Sequence, residues 1–238
     1  MSSPDVSNKK AIIIRLIPLI IIIVCIIIGV SFYYLFIYTP PPKPVDLYST
    51  YSNKIPTIDG IYDPDEWNDT TKFSRRITDI SGVDSAIFNI WVKNNDTHLF
   101  MCVHITDVHY NLSKMSSLKL EIAFGPNAND LKYITWSDGY MDCYWASAGV
   151  GYFVYKDGQK DGYGNFTYGG PELSGNITFE LVMPLKSGDS HDYEIERHSS
   201  VAFWLEFCTA VNIKKSPSYY LTSSDWSDFE NPGYIHID

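Results

Sequence analysis

Two hydrophobic patterns divide the chain. From Leu16 to Ile37 the residues LIPLIIIIVCIIIGVSFYYLFI include no charge, and as a helix they rise about 33 Å, enough to cross a hydrocarbon core of about 30 Å. A transmembrane helix is expected over 16–38. The apolar run exceeds the roughly 7–15 residues of a cleaved signal and ends without a small-residue cleavage site. Phe32, Tyr33, Tyr34, Phe36 and Tyr38 supply the aromatic belt of a retained anchor. Beyond Tyr38 the pattern changes to short β-branched and aromatic runs broken by Gly, Asn, Asp and Ser, with no helical period beyond three turns. Strands are predicted near 85–93, 98–106, 117–124, 131–136, 141–147, 150–156, 176–183, 200–210 and 233–237. Leu99, Met101, Val103 and Ile105 form one wholly apolar parity, so that strand turns a full face to the core. The Gly- and Asp-rich stretch Lys156–Gly170 reads as a hairpin or long loop.

This spacing predicts one all-β domain over 48–238, an antiparallel β-sandwich. Residues 1–15 would form a cytoplasmic N-terminus and 39–47 a linker, stiffened by Pro40-Pro41-Pro42-Lys43-Pro44 into a polyproline spacer. The stretch Ile55–Asn68, IPTIDGIYDPDEWN, holds a turn at Asp59-Gly60 and a short helical turn with Asp63 as N-cap and Pro64 as first residue. Gly60 suits a backbone conformation that other residues resist, and Trp67 can pin the turn to the sandwich.

Charge sets the orientation. Lys9, Lys10 and Arg15 precede the span and the nearest basic residue after it is Lys43, which predicts a single-pass protein of the cell membrane with a cytoplasmic N-terminus and an extracellular C-terminal domain. The chain carries a net charge of −10, and its acidic excess lies in the outer part, which argues against nucleic acid as a partner. Sequons at Asn68, Asn95, Asn111, Asn165 and Asn176 all follow the span, as suits an exported glycoprotein. Cys102, Cys143 and Cys208 lie outside the membrane; an odd count leaves either one bridge or three small buried residues.

Four landmarks resemble family 9 carbohydrate-binding modules and the wider DOMON-like sandwich group. They are Pro56–Trp67, matching P-x-I-D-G-x-x-D-x-x-E-W; Ile90–Asp107, a strand, an Asn/Asp turn and a second strand; Asn176–Leu185; and Trp226 through Asn231–Ile237. The resemblance implies a jelly-roll-like sandwich that holds a sugar between two tryptophan faces. Trp226 matches the second. The first falls near Met115-Ser116-Ser117, which carries no aromatic, so Trp136, Tyr140, Tyr144 and Trp145 are the candidates for rebuilding the platform. Relatives often carry structural calcium, for which Asp59, Asp63, Asp65 and Asp107 offer oxygen ligands. Some DOMON-like relatives bind haem, for which Met101, Met141, Met183 and His191 are present. His104, Asp107 and His109 cluster at a strand end in no zinc spacing, and read as a turn residue with solvated histidines.

No nucleophile elbow, phosphate loop or Cys-His context appears, so no enzyme is expected. The expectation is a membrane-anchored extracytoplasmic module that recognises glycan by aromatic stacking. The alternatives are an accessory ectodomain with a membrane-complex or cell-envelope protein partner and, behind it, a haem-binding electron-transfer domain.

Overall fold

The computed structural model describes residues 21–32, 44–80, 82, 84–108, 118–127, 129–147, 152–170, 175–209, 218–222 and 232–238. The chain forms two units, Met1–Lys43 and Pro44–Asp238. In the first, residues 21–32 form helix α1, whose isoleucines and valines are exposed. The rest of the expected 16–38 span lies outside the described residues, and no helix among the described residues is long and apolar enough to cross a membrane.

The second unit is a β-sandwich. Its strands are β1 (Asp46–Tyr48), β2 (Thr50–Tyr51), β3 (Phe73–Thr78), β4 (Ser85–Asn94), β5 (His98–Val108), β6 (Lys119–Phe124), β7 (Asp130–Thr135), β8 (Gly139–Ser147), β9 (Tyr152–Lys156), β10 (Tyr163–Gly169), β11 (Gly175–Pro184), β12 (Ser200–Cys208), β13 (Ser218–Tyr220) and β14 (Gly233–His236), with a short helix α2 (Pro64–Trp67). Among the described residues the large sheet runs β1-β14-β12-β6-β7-β8-β9, with β13 also on β12, and the small sheet runs β10-β11-β5-β4-β2, with β3 also on β4. Alternate residues of both sheets meet in one core; Leu99, Met101, Val103 and Ile105 face Leu120, Ile122, Phe203 and Leu205 in it, each contributing about 1.5–3 kcal/mol by leaving water.

All nine predicted strands are present within a residue or two. Three expectations need correction. The sandwich is not wholly antiparallel: β1 runs parallel to β14 and β2 parallel to β4, because the chain continues in one direction as it steps from the large sheet to the small one. The sheet also begins inside the stretch expected as linker, since Asp46 pairs with Tyr234 and Val45 and Leu47 are buried. Lys156–Gly170 is neither hairpin nor plain loop: β9 pairs with β8 in the large sheet and β10 with β11 in the small one, so the segment carries a strand and crosses between sheets.

The entry stretch is built as its residues suggest. Asp63 caps α2 by accepting from the Asp65 amide at 2.9 Å, with Pro64 at the first position. Gly60 has φ +81°, and a Cβ there would lie 2.5 Å from the Phe166 backbone. The stretch docks on the outward face of the small sheet, where Trp67, Trp91, Phe100 and Cys102 form a second buried cluster with Ile58, Tyr62 and Val182. At its centre Glu180, fully buried, accepts hydrogen bonds from Trp67 Nε1 at 3.0 Å and from the Gly60 and Asp59 amides at 3.0 and 3.2 Å. Lys93, also buried, donates to the Glu66 carbonyl and pairs with Asp69 at 2.6 Å. Burial raises the Glu180 carboxyl to about 7, against the pull of its three donors.

Because that folded value lies above the ordinary 4.5, the stability Glu180 contributes is greatest below its unfolded pKa and is lost as pH rises through about 7. Thermal melts should therefore show a midpoint that falls between about pH 5 and 8, with a shallower fall in Glu180→Gln. Gly60→Ala adds a methyl group at positive φ against fixed backbone and should lower stability by more than about 1 kcal/mol in denaturant unfolding.

Candidate functional site

The outward face of the large sheet carries a group of ionisable side chains. Leu120, Ile122 and Phe124 fill the core, so strand alternation turns Lys119, Glu121 and Ala123 outward. Glu121 pairs in register with Tyr133 of β7 on one side and Glu206 of β12 on the other, and Glu206 pairs with Tyr220 of β13. The Lys119 ammonium lies 2.6 Å from Glu121 Oε2 and 3.7 Å from Glu206 Oε2. Tyr133 Oη donates to Glu121 Oε1 at 2.8 Å, and the Cys208 thiol donates to Glu206 Oε1 at 3.0 Å.

Burial governs the electrostatics here. It raises the Glu121 carboxyl even though Lys119 and Tyr133 oppose the shift. It raises the Tyr133 and Tyr220 phenols, each reinforced by its carboxylate partner, and pushes the Cys208 thiol up to about 12. It works against the Lys119 ammonium, but Glu121 and Glu206 more than offset that and its pKa rises. The result is two carboxylate acceptors interleaved with an ammonium and two phenol donors, a set that matches groups able to donate and accept at once, such as hydroxyls. Ala123, Leu131, Tyr133, Cys143 and Trp204 form an apolar patch on the same face, with Met141 and Trp145 packed against it.

Trp136 follows Thr135, the register partner of Lys119, by one residue and turns its ring the other way, toward β10 of the small sheet. It is 44% exposed, its ring centroid 5.6 Å from that of Tyr168 and 5.9 Å from that of Phe166. Its amide donates to the carbonyl of Leu118 at 3.2 Å. Leu118 is next in sequence to 115–117, the stretch where the resemblance implies a first tryptophan and which lies outside the described residues.

The other expected platform residues are not gathered around it. Trp226 lies outside the described residues, as do Asn111, His109 and Met115–Ser117. Trp145 is half-buried on the outward face with its indole N–H unpartnered among the described residues. Tyr144, its neighbour in sequence, points to the opposite face and stacks on His191 at 3.8 Å and Tyr155 at 5.7 Å. Tyr140 is a core residue.

The acidic candidates hold local roles. Asp59 accepts from the Ile61 amide, Asp63 caps α2, and Asp107 pairs with Arg76 at 2.9 Å. The carboxylates that do converge are different ones. Asp130, Asp142 and Asp192 surround the Lys132 ammonium at 2.8, 2.6 and 2.7 Å, and burial raises Asp130 to about 7. Asp157 and Asp189 lie 3.3 and 3.2 Å from His191 Nδ1. Met101 and Met183 are buried between the sheets, Met141 is on the outward face and His191 is exposed, so the haem candidates are dispersed. His104 is half-buried, with Nδ1 2.8 Å from Thr178 Oγ1 and its pKa lowered by burial. The four cysteines are free thiols. Of the sequons, Asn68 and Asn176 are exposed, while Asn95 and Asn165 are half-buried, each with its Oδ1 accepting from nearby backbone amides.

Lys119, Glu121, Tyr133 and Glu206 escaped the sequence reading, because a charged residue inside a strand reads as a solvated position. The signal was present in the parity: Lys119 and Glu121 share one face of a strand whose other face is wholly apolar.

No protein-family model matches the chain, and no curated protein matches it. Among solved structures it is similar to a family 9 carbohydrate-binding module from Caldicellulosiruptor kristjanssonii. In complex with glucose that module gives a TM-score of 0.51 at 14% identity over 81% of this chain and 95% of the other; in complex with cellotriose it gives 0.50 at 14% identity over 81% and 93%. A candidate carbohydrate-binding protein from Bacteroides uniformis gives 0.55 at 9% identity over 82% and 100%. At such identities the likeness establishes the fold.

Tyr133→Phe removes one donor from a buried carboxylate and should cost about 1–3 kcal/mol in denaturant unfolding. The double variant Tyr133→Phe with Glu121→Leu should recover part of that loss, since it removes the stranded acceptor as well.

Proposed function

We propose that this domain is a glycan-binding module, carried outside the cell by the N-terminal apolar segment and performing no catalytic step. The observation that carries the reading is the exposed ring of Trp136, grouped with Tyr168 and Phe166 of β10 into an aromatic rim. A pyranose presents flat apolar faces that stack on indole, and hydroxyls that need donors and acceptors in alternation. The rim supplies the first. The likeness in fold to a module solved with glucose and cellotriose supports the same reading.

In this reading Trp136 takes the place of the missing first tryptophan, and Trp226 is the second stacking residue that the resemblance implies. Lys119 donates to sugar oxygens, and Glu121, Glu206 and the phenol oxygens accept from sugar hydroxyls. Lys119 is bound to both carboxylates, which suits holding a ligand better than moving a proton through either. Among the described sequons, the exposed Asn68 and Asn176 would carry N-linked glycan. Any calcium would serve the scaffold, with carboxylates of the Asp157 and Asp189 kind as better placed ligands than Asp59, Asp63 or Asp107.

The test is a glycan array probed with the full chain in detergent, with and without calcium, followed by titration of the best ligand. Trp136→Ala, Trp226→Ala and Lys119→Ala should each lose about 1–3 kcal/mol of affinity, with the thermal midpoint of Trp136→Ala close to that of the wild type. A wild-type chain that retains no glycan would overturn the reading, and full affinity in Trp136→Ala would move the stacking surface away from this rim.

A further inference from the structure

Among the described residues strand β9 ends the large sheet, and its pairing with β8 uses one of its two edges. Asp157 N–H donates to the Asp142 carbonyl at 2.8 Å, while Tyr144 pairs with Tyr155 and Ala146 with Phe153. In an antiparallel ladder this phase points the N–H and C=O groups of Phe153 and Tyr155 toward β8, and those of residues 152, 154 and 156 away from it. No second strand pairs with β9 among the described residues. Phe153, Val154 and Tyr155 are 49, 41 and 40% exposed, so the strand shows apolar side chains on both faces beside an unpaired backbone. Natural sheets usually blunt such an edge with charge, proline or a bulge; within β9 the only charge is Lys156.

We propose that β9 pairs antiparallel with β9 of a second copy of this chain, across a two-fold axis through Val154. That register sets Val154 against Val154 and residue 152 against Lys156, so all three positions whose backbone groups face outward meet matching groups on the partner strand. Moving the axis by one residue either way leaves one of those three without a partner inside the strand. The same register sets Phe153 against Tyr155 in both directions, two aromatic cross-strand pairs of a favourable kind. It also keeps the two lysines apart, where an axis at residue 156 would oppose them. The interface is isologous, as a two-fold requires, and joins two large sheets into one continuous sheet. It lies on a different part of the domain from the proposed glycan face and does not rest on that reading.

The full chain in detergent tests this, in a Cys25→Ser background that removes the exposed thiol of α1. A hydrogen-bonded antiparallel pair holds its Cα atoms about 5.5 Å apart, within disulfide reach. Val154→Cys should therefore form a covalent dimer under mild oxidation about tenfold more readily than Lys156→Cys, whose counterpart is several residues away along the strand. The wild type should sediment as two copies, and Val154→Pro, which deletes only an outward-facing N–H, should sediment as one copy with an unchanged thermal midpoint. A wild type of one copy, or two cysteine variants that cross-link equally or not at all, would overturn the proposal.

Discussion

The domain is organised around one carboxylate. Glu180 sits on the outward side of a central strand with no water to solvate it, and the donors that satisfy it come from residues 59–67, more than a hundred positions earlier. Those bonds bring the entry stretch down onto the small sheet and make its outward face a second interior, with Trp67 and Trp91 inside it. They also place Gly60 against the backbone of Phe166, where Thr167 Oγ1 donates to the Gly60 carbonyl at 2.7 Å. Phe166 in turn packs beside Trp136. A run of contacts thus leads from the buried carboxylate through a glycine to the rim of the candidate site, so the same bonds that complete the fold also set the height of the aromatic rim.

What the sequence revealed depended on how local each feature was. The long strands β4, β5, β11 and β12 carry their own apolar alternation and were legible. So was the Asp59–Trp67 turn, whose cap, proline and glycine act within a few residues of one another. β1, β2 and β13 are two or three residues long and exist only through partners far along the chain. β10 reads as loop in the sequence because its Gly and Asp surroundings signal turns, while its pairing partner is the distant β11. The candidate site divides in the same way. Trp136 was visible as an aromatic residue, but its place next to Leu118 is a product of the β6–β7 register. Tyr144 and Trp145 are adjacent residues of one strand and so face opposite ways, a separation already implicit in their spacing.

Lysine has an unexpected role throughout. Lys93, Lys119 and Lys132 each bring an ammonium among carboxylates in buried or half-buried positions. Ion pairs withdrawn from water seldom add net stability over apolar packing of the same volume, yet losing one partner is severe. Their effect is on selection among alternatives. A slip of β7 by one residue against β8 would carry Lys132, together with Asp130 of the same strand, away from Asp142 and Asp192 and leave those carboxylates without their cation, so these clusters hold the register where apolar residues alone would tolerate a shift.

The parallel pairing of β1 with β14 has a consequence for how the protein is made. Asp46, Leu47 and Tyr48 find their hydrogen bonds on Tyr234, Ile235 and His236, and the Ser49 amide reaches the carbonyl of His236. While the ribosome is still adding the residues between, the first strand of the sandwich has no partner. Val45 and Leu47 stay exposed to the solvent or to a chaperone until almost the whole domain has emerged. Closure of so long a loop precedes its reward, which slows folding. An unpaired strand waiting beside other nascent chains is also the segment most open to wrong pairing in that interval.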